Sequence, residues 1–174
     1  VSTIGFLAPK LRRLEQCPAT VLGAFLFEER GPLRGLLSLV DWRLHGHLSR
    51  LIIDGFASGA VGETLLVPLE RRLSQRDLLI VGLGGVPRAL EADEFCAALE
   101  QLFASVVGLG HESLALCLPG RPEELVETVQ ALEWLLEAHE PRKAHLRLHV
   151  CEPTPVQKAM QPLVERWRLR QLVP

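Results

Sequence analysis

No long apolar run, no low-complexity tract, no block of like charge and no cysteine cluster occurs in this 174-residue chain. Each absence removes a class of protein. No run approaches the ~20 apolar residues that span a bilayer, so no membrane role is expected. A net charge of −2 gives no general attraction to nucleic acid or anionic lipid, and neither is an expected partner. The four cysteines, Cys17, Cys96, Cys117 and Cys151, are too scattered for metal-binding pairs, and disulfide frameworks belong to smaller secreted chains. Buried free thiols in a reducing cytoplasm are the expectation. The amino terminus agrees: Lys10, Arg12 and Arg13 follow the short apolar run Val1–Ala8, the reverse of a secretory signal.

What is present describes a folded globule. Apolar residues make up 48% of the chain, and this length suits one domain that buries roughly two-thirds of its unfolded surface. A mean hydropathy of +0.19 hints at an apolar face beyond the monomer core. Ser2–Ala8 alternates loosely and predicts a first strand. Thr20–Phe27 is continuously apolar, the pattern of a strand covered on both faces. Leu33–Leu51 has helical spacing, with Gly46 predicting a break into two short helices. Thr64–Leu69 and Asp77–Leu83 predict neighbouring strands across a polar turn, and Pro68 confines the first to an edge or an end. Ala92–Val107 carries Phe95, Leu99, Leu102 and Val106 on one helical face and stops at Gly108.

Ser113–Leu118 predicts another buried strand. Pro119 to Glu124 then supplies a proline and two acids where a helix amino end favours them, with Leu125, Val129, Leu132 and Leu136 as the apolar face. His145–Cys151 alternates strictly, predicting a strand with one wet face. Thr154-Pro155 opens a last helix, which Pro162 is expected to kink. Trp167 stands at helical intervals from Val156, Met160 and Leu163 and reads as a core or interface residue. Strands alternating with helices of about fifteen residues predict a single three-layer α/β domain, its sheet mixed but mostly parallel.

Reactive constellations are scarce. Gly82-Leu83-Gly84-Gly85 follows a strand, where backbone N–H groups can cradle an anion. Gly82, Gly84 and Gly85 are therefore weak anion-loop candidates. Pro87 stands where the dinucleotide fingerprint needs a glycine, and no phosphate-binding lysine is in the loop, so a plain turn with close backbone packing is the simpler reading. His145 and His149 would be about 13 Å apart on a strand, too far to share one metal ion. His45 and His47 flank the helix break and read as solvated; His111 and His139 stand at helix ends. Arg71-Arg72 with Arg76, and Arg166, Arg168 and Arg170 beside Trp167, read as solvated basic faces. No catalytic residue, metal ligand or cofactor is assigned.

One stretch carries a family resemblance. Gly59-Ala60-Val61-Gly62-Glu63-Thr64-Leu65-Leu66-Val67-Pro68 is followed by Leu79-Ile80-Val81-Gly82-Leu83-Gly84 and a long helix. This resembles the N-terminal, non-catalytic lobe of the leucine aminopeptidase family, the cytosolic two-metal exopeptidases, over about Thr20 to Glu152. The resemblance implies a macro-domain-like fold that packs on a catalytic domain and helps assemble an oligomer. In that family both metals and the catalytic lysine belong to the C-terminal domain, whose signature Asn-Thr-Asp-Ala-Glu-Gly-Arg does not occur here. The expected function is thus a non-catalytic lobe acting in assembly, regulation or partner binding. Its expected partner is a second copy or an aminopeptidase-type catalytic domain, and its expected location the cytoplasm. The alternatives are a macro-like module binding ADP-ribose or another nucleotide, and an enzyme with an unrecognised site.

Overall fold

The computed structural model describes residues 4–29, 31–142 and 144–171. In chain order the elements are β1 (Ile4–Leu7), α1 (Leu11–Glu15), β2 (Val21–Phe27), α2 (Gly35–Arg43), α3 (His47–Ile53), β3 (Thr64–Pro68), β4 (Asp77–Gly84), α4 (Ala92–Gly108), β5 (Ser113–Leu116), α5 (Thr128–His139), β6 (Arg147–Cys151) and α6 (Thr154–Arg170). The six strands form one sheet in the order β1-β6-β5-β2-β4-β3. Every pairing is parallel except β3 with β4. The sheet is therefore mixed and mostly parallel, as the sequence predicts.

Both faces are covered, which makes three layers. On one side Phe95, Leu99, Leu102 and Phe103 of α4 join Leu132 and Leu135 of α5 and Met160 and Val164 of α6 in a single apolar cluster. On the other side Leu14, Leu36, Val40 and Leu48 bring α1, α2 and α3 onto the sheet. A strand between two such layers has no wet face, and all seven residues of β2 are buried. Trp167 belongs to the first cluster, with its indole N–H donating to Glu140 at 3.1 Å.

Local sequence explains the element boundaries. Gly46, at φ +78°, takes the left-handed conformation between α2 and α3 that other residues disfavour. The backbone N–H of Glu91 donates to the Glu94 side chain at 3.2 Å and ties down the start of α4. At the sheet edge, Leu69 N donates to Arg76 O and Gly82 N to Glu63 O. Odd-numbered residues of β3 therefore face β4 and even-numbered ones face outward. Pro68 lies on the outward side, where its missing N–H costs the ladder nothing.

Three sequence expectations need correction. The predicted strand Ser113–Leu118 ends at Leu116. The segment Pro119 to Glu124 does not start a helix: Gly120 and Glu124 have φ of +68° and +60°, and Leu125 N turns back onto Gly120 O. Helix α5 begins at Thr128 because the Glu127 carboxylate caps it, accepting from Val129 N and Gln130 N. Its buried face runs through Ala131, Leu132, Leu135 and Leu136, without Leu125 or Val129. The alternation of β6 does bury Leu148 and Val150, but its other face is not wet throughout. Cys151 is buried under the α1–α3 layer and His149 is half-buried. Alternation in the interior of a parallel sheet marks which layer a side chain enters, so it did not separate core from solvent here. Helix α6 contains Pro162 and extends unbroken to Arg170.

Candidate functional site

Strand order places one crevice. The chain leaves β2 for β3 and β4 on one side, then returns past it to β5 on the other. The loops after β2 and β5 diverge at this switch point, and a crevice opens beyond the strands' carboxyl ends. A cavity of about 250 Å³ lies there, walled by Phe25 and Phe27 at the end of β2, Glu29 and Arg34 in the loop that follows, and Glu123 and Leu125 after β5. Among the described residues its charged groups are two carboxylates and one guanidinium. Burial pushes the Glu123 carboxyl above its usual range, and Arg34 only partly opposes this. Among the described residues a pyrophosphate entering this crevice would meet more negative than positive charge.

The glycine loop sits beside this crevice in a mostly committed form. Gly82 and Gly84 belong to β4 itself. Their N–H groups donate to Glu63 O at 2.9 Å and Gly59 O at 2.8 Å, and Gly84 O accepts from Glu28 N. A Cβ on Gly82 would lie 2.0 Å from the Ala60 carbonyl oxygen, so glycine is required for this backbone approach. Gly85 is exposed at the rim, next to Val86, which reaches the crevice wall.

The neighbouring Gly-Glu-Thr motif explains the close approach. The Glu63 carboxylate accepts from Ser58 N, Ser58 Oγ and Gly59 N, the last at 2.6 Å, and latches the loop against β4. Burial opposes its ionisation, but the Ser58 and Gly59 hydrogen bonds outweigh it and hold the carboxyl below the usual carboxylate range.

At the opposite end of the sheet the structure assembles a cluster that sequence reasoning missed. Thr20 Oγ1 lies 3.0 Å from His111 Nδ1, and His111 Nε2 lies 3.5 Å from Asp77 Oδ2. A hydroxyl, an imidazole and a carboxylate in this order resemble a nucleophile, base and orienting acid. The surrounding bonds favour a structural role. The Thr20 hydroxyl donates to Ser113 O at 3.1 Å. Thr20 N donates to Ser113, and Arg76 N donates to Thr20 O, so these backbone groups are not aimed at a substrate. The cluster ties β2, β4 and β5 together where they begin. The three residues are 57 and 34 positions apart in the chain, a spacing that no local pattern reveals.

The remaining candidates are dispersed. His45 contacts Arg72 at 3.1 Å on the surface, and His47 is exposed. His139 is buried at the end of α5, with the Phe103 and Trp167 rings at 6.3 and 6.2 Å. His145 is exposed just before β6, and burial followed by the Arg147 charge lowers the His149 pKa. Arg71 has a left-handed φ of +64° in the loop after β3, and Arg72 O accepts from Arg43. Arg166 and Arg170 are exposed on α6, whereas Arg168 donates to Ile4 O. Arg121 pairs with the buried Glu152 at 3.1 Å, beside the ends of β5 and β6. Among the described residues, no group of three or more His, Cys, Asp and Glu side chains is placed to hold a metal ion. Nor, among the described residues, is any helix long and apolar enough to cross a membrane.

Comparison with known proteins follows the same outline. A Trypanosoma brucei macrodomain in complex with ADP superposes with a TM-score of 0.70 at 15% identity, covering 92% of this chain and 68% of that one. The macrodomain of Thermus aquaticus DarG gives 0.60 at 14% identity, covering 87% and 99%. A tomato leucine aminopeptidase mutant gives 0.58 at 17% identity, covering 91% of this chain but only 35% of that one. At identities this low, the superpositions establish a shared macrodomain-like fold alone. No curated protein sequence matches the chain. The family model described as the N-terminal domain of the cytosol aminopeptidase family matches residues 21–137. That span runs from β2 into the last turn of α5, more than half of the chain, and the protein belongs to this N-terminal domain family.

Proposed function

We propose that this chain is a non-catalytic lobe that serves assembly, regulation or partner binding in an aminopeptidase-type system. The family match carries the reading, because it is to the N-terminal domain of these enzymes. The site chemistry supports it. The crevice at the switch point sets two carboxylates and one guanidinium among apolar side chains, and the Thr20–His111–Asp77 cluster spends its hydrogen bonds on holding strands together. The exposed apolar side chains Trp42, Ile53, Phe56 and Val61 are material for contact with another protein. Sedimentation velocity over a range of concentrations tests the reading. The expected result is a mass above 19.3 kDa, or a complex with an added aminopeptidase-type catalytic domain. A strict monomer that ignores that domain would overturn it.

A second reading rests on the position of the crevice. A Trypanosoma brucei macrodomain has been solved in complex with ADP-ribose, and it superposes with a TM-score of 0.70 at 14% identity. A nucleotide diphosphate in this chain's crevice would raise the thermal midpoint, since a ligand that binds only the folded state stabilises it. No shift at millimolar ADP-ribose would remove this reading.

A further inference from the structure

Strands β5 and β6 run parallel and in register, Leu114 beside Leu148 and Leu116 beside Val150. One step further along stand Cys117 and Cys151, which the same register makes neighbours. Side chains alternate between layers. Leu116 and Val150 enter the α4–α6 layer, while Cys117 and Cys151 both enter the α1–α3 layer. Adjacent strands are roughly 4.8 Å apart, inside the Cα separation of about 4.4–6.8 Å that a disulfide requires. The Cys117 thiol donates to the Cys151 carbonyl oxygen at 3.9 Å. Both residues are free thiols and line one cavity of about 340 Å³, beside Arg121 and Glu152. Neither Cys17 nor Cys96 lines that cavity.

We propose that Cys117 and Cys151 are a redox-modifiable pair that closes to a reversible disulfide when hydrogen peroxide enters this cavity. The hydrogen bond to Cys117, and then burial, push the Cys151 thiol well above the usual range. Cys117 lines both this cavity and the switch-point crevice, whereas Cys151 lines only the first, so Cys117 meets the peroxide and is the attacking atom. The Cys117 sulfur takes one peroxide oxygen as the O–O bond breaks, and the departing hydroxide leaves as water with the Cys117 proton. The Cys151 sulfur then attacks the resulting sulfenic acid. The S–O bond breaks, and the oxygen departs as a second water with the Cys151 proton. Two thiols lose two electrons in total, and one peroxide becomes two waters. The change reaches the switch-point crevice, because Cys117 also lines it and its sulfur lies 3.5 Å from where a Gly35 Cβ would stand at the start of α2.

Peptide mapping of the unsubstituted, folded chain tests this. The reduced protein is freed of reductant, treated with hydrogen peroxide, then denatured and alkylated. The expected product is lighter by two hydrogens, with Cys117 joined to Cys151 and with Cys17 and Cys96 alkylated; dithiothreitol restores all four thiols. Cys151→Ser should give no such bridge and should leave a sulfenic acid on Cys117 that dimedone traps. Four alkylated cysteines after peroxide, or a bridge from Cys117 to Cys17 or Cys96, would overturn the proposal. The map needs no substitution, so it stands even where Cys151→Ser fails to fold.

Discussion

The two ends of the central sheet are built on opposite plans. Where β2, β4 and β5 begin, polar side chains cross from strand to strand: Thr20, His111, Asp77 and Ser113 bond to one another and to the backbone. Where these strands end, the loops diverge around cavities edged by Glu29, Glu123, Arg121 and Glu152, and two buried thiols sit below. One end spends its polar groups on closure. The other keeps Glu123 and Glu152 partly desolvated in the walls of its cavities. The hydroxyl, imidazole and carboxylate spend their bonds on joining strands, although Thr20 and His111 also line an open cavity of about 520 Å³ at that end, and the two thiols stand at the other.

The largest effect should come from breaking the close backbone packing at the open end. Gly82→Ala places a Cβ against the Ala60 carbonyl and is expected to cost at least the upper part of the roughly 1–3 kcal/mol of overpacking, read by urea unfolding. Next is the closed end. Asp77→Ala strips His111 of its carboxylate, and a loss of about 1–2 kcal/mol is expected from abandoned buried hydrogen-bonding groups. The oligomeric state should not change. An Asp77→Ala protein of unaltered stability would show that the cluster does not hold the strands.

Two carboxylates at the open end sharpen the comparison through pH. Glu63 is held below its ordinary range. Its contribution to stability is present above the unfolded value and is lost as pH falls through the lower folded value. Glu63→Gln should therefore lower the thermal midpoint near neutrality and flatten its fall in acid. Glu123 has the opposite sign. Burial raises it, so its contribution is present below the unfolded value and lost as pH rises through the folded one. Glu123→Gln should give the smallest change, a slight rise in midpoint at neutral pH that vanishes in acid. Parallel pH profiles for the two variants would contradict the assignments.

Periodicity made most of the scaffold legible. The break at Gly46, the edge position of Pro68, the α4 face and the core place of Trp167 all follow from spacing and backbone chemistry acting within a few residues. The Gly-Glu-Thr motif was visible as a pattern, but not its mechanism, because Glu63 works by folding back on Ser58 and Gly59. The start of α5 was misread because Pro-Gly-Arg-Pro-Glu-Glu suits a turn as well as a helix end, and the Glu127 cap decided between them. Neither the Thr20–His111–Asp77 cluster nor the Cys117–Cys151 pair had a local signature. Both depend on β5 lying beside β2 and β6, which only the assembled sheet defines.

Hydrolysis of a leucyl chromogenic amide by the purified chain, with manganese or zinc added, tests the non-catalytic reading most directly. No turnover above buffer at any protein concentration is the expected result. Turnover that rises in proportion to the protein and falls with Asp77→Ala would contradict it, and would make the closed end of the sheet an active site.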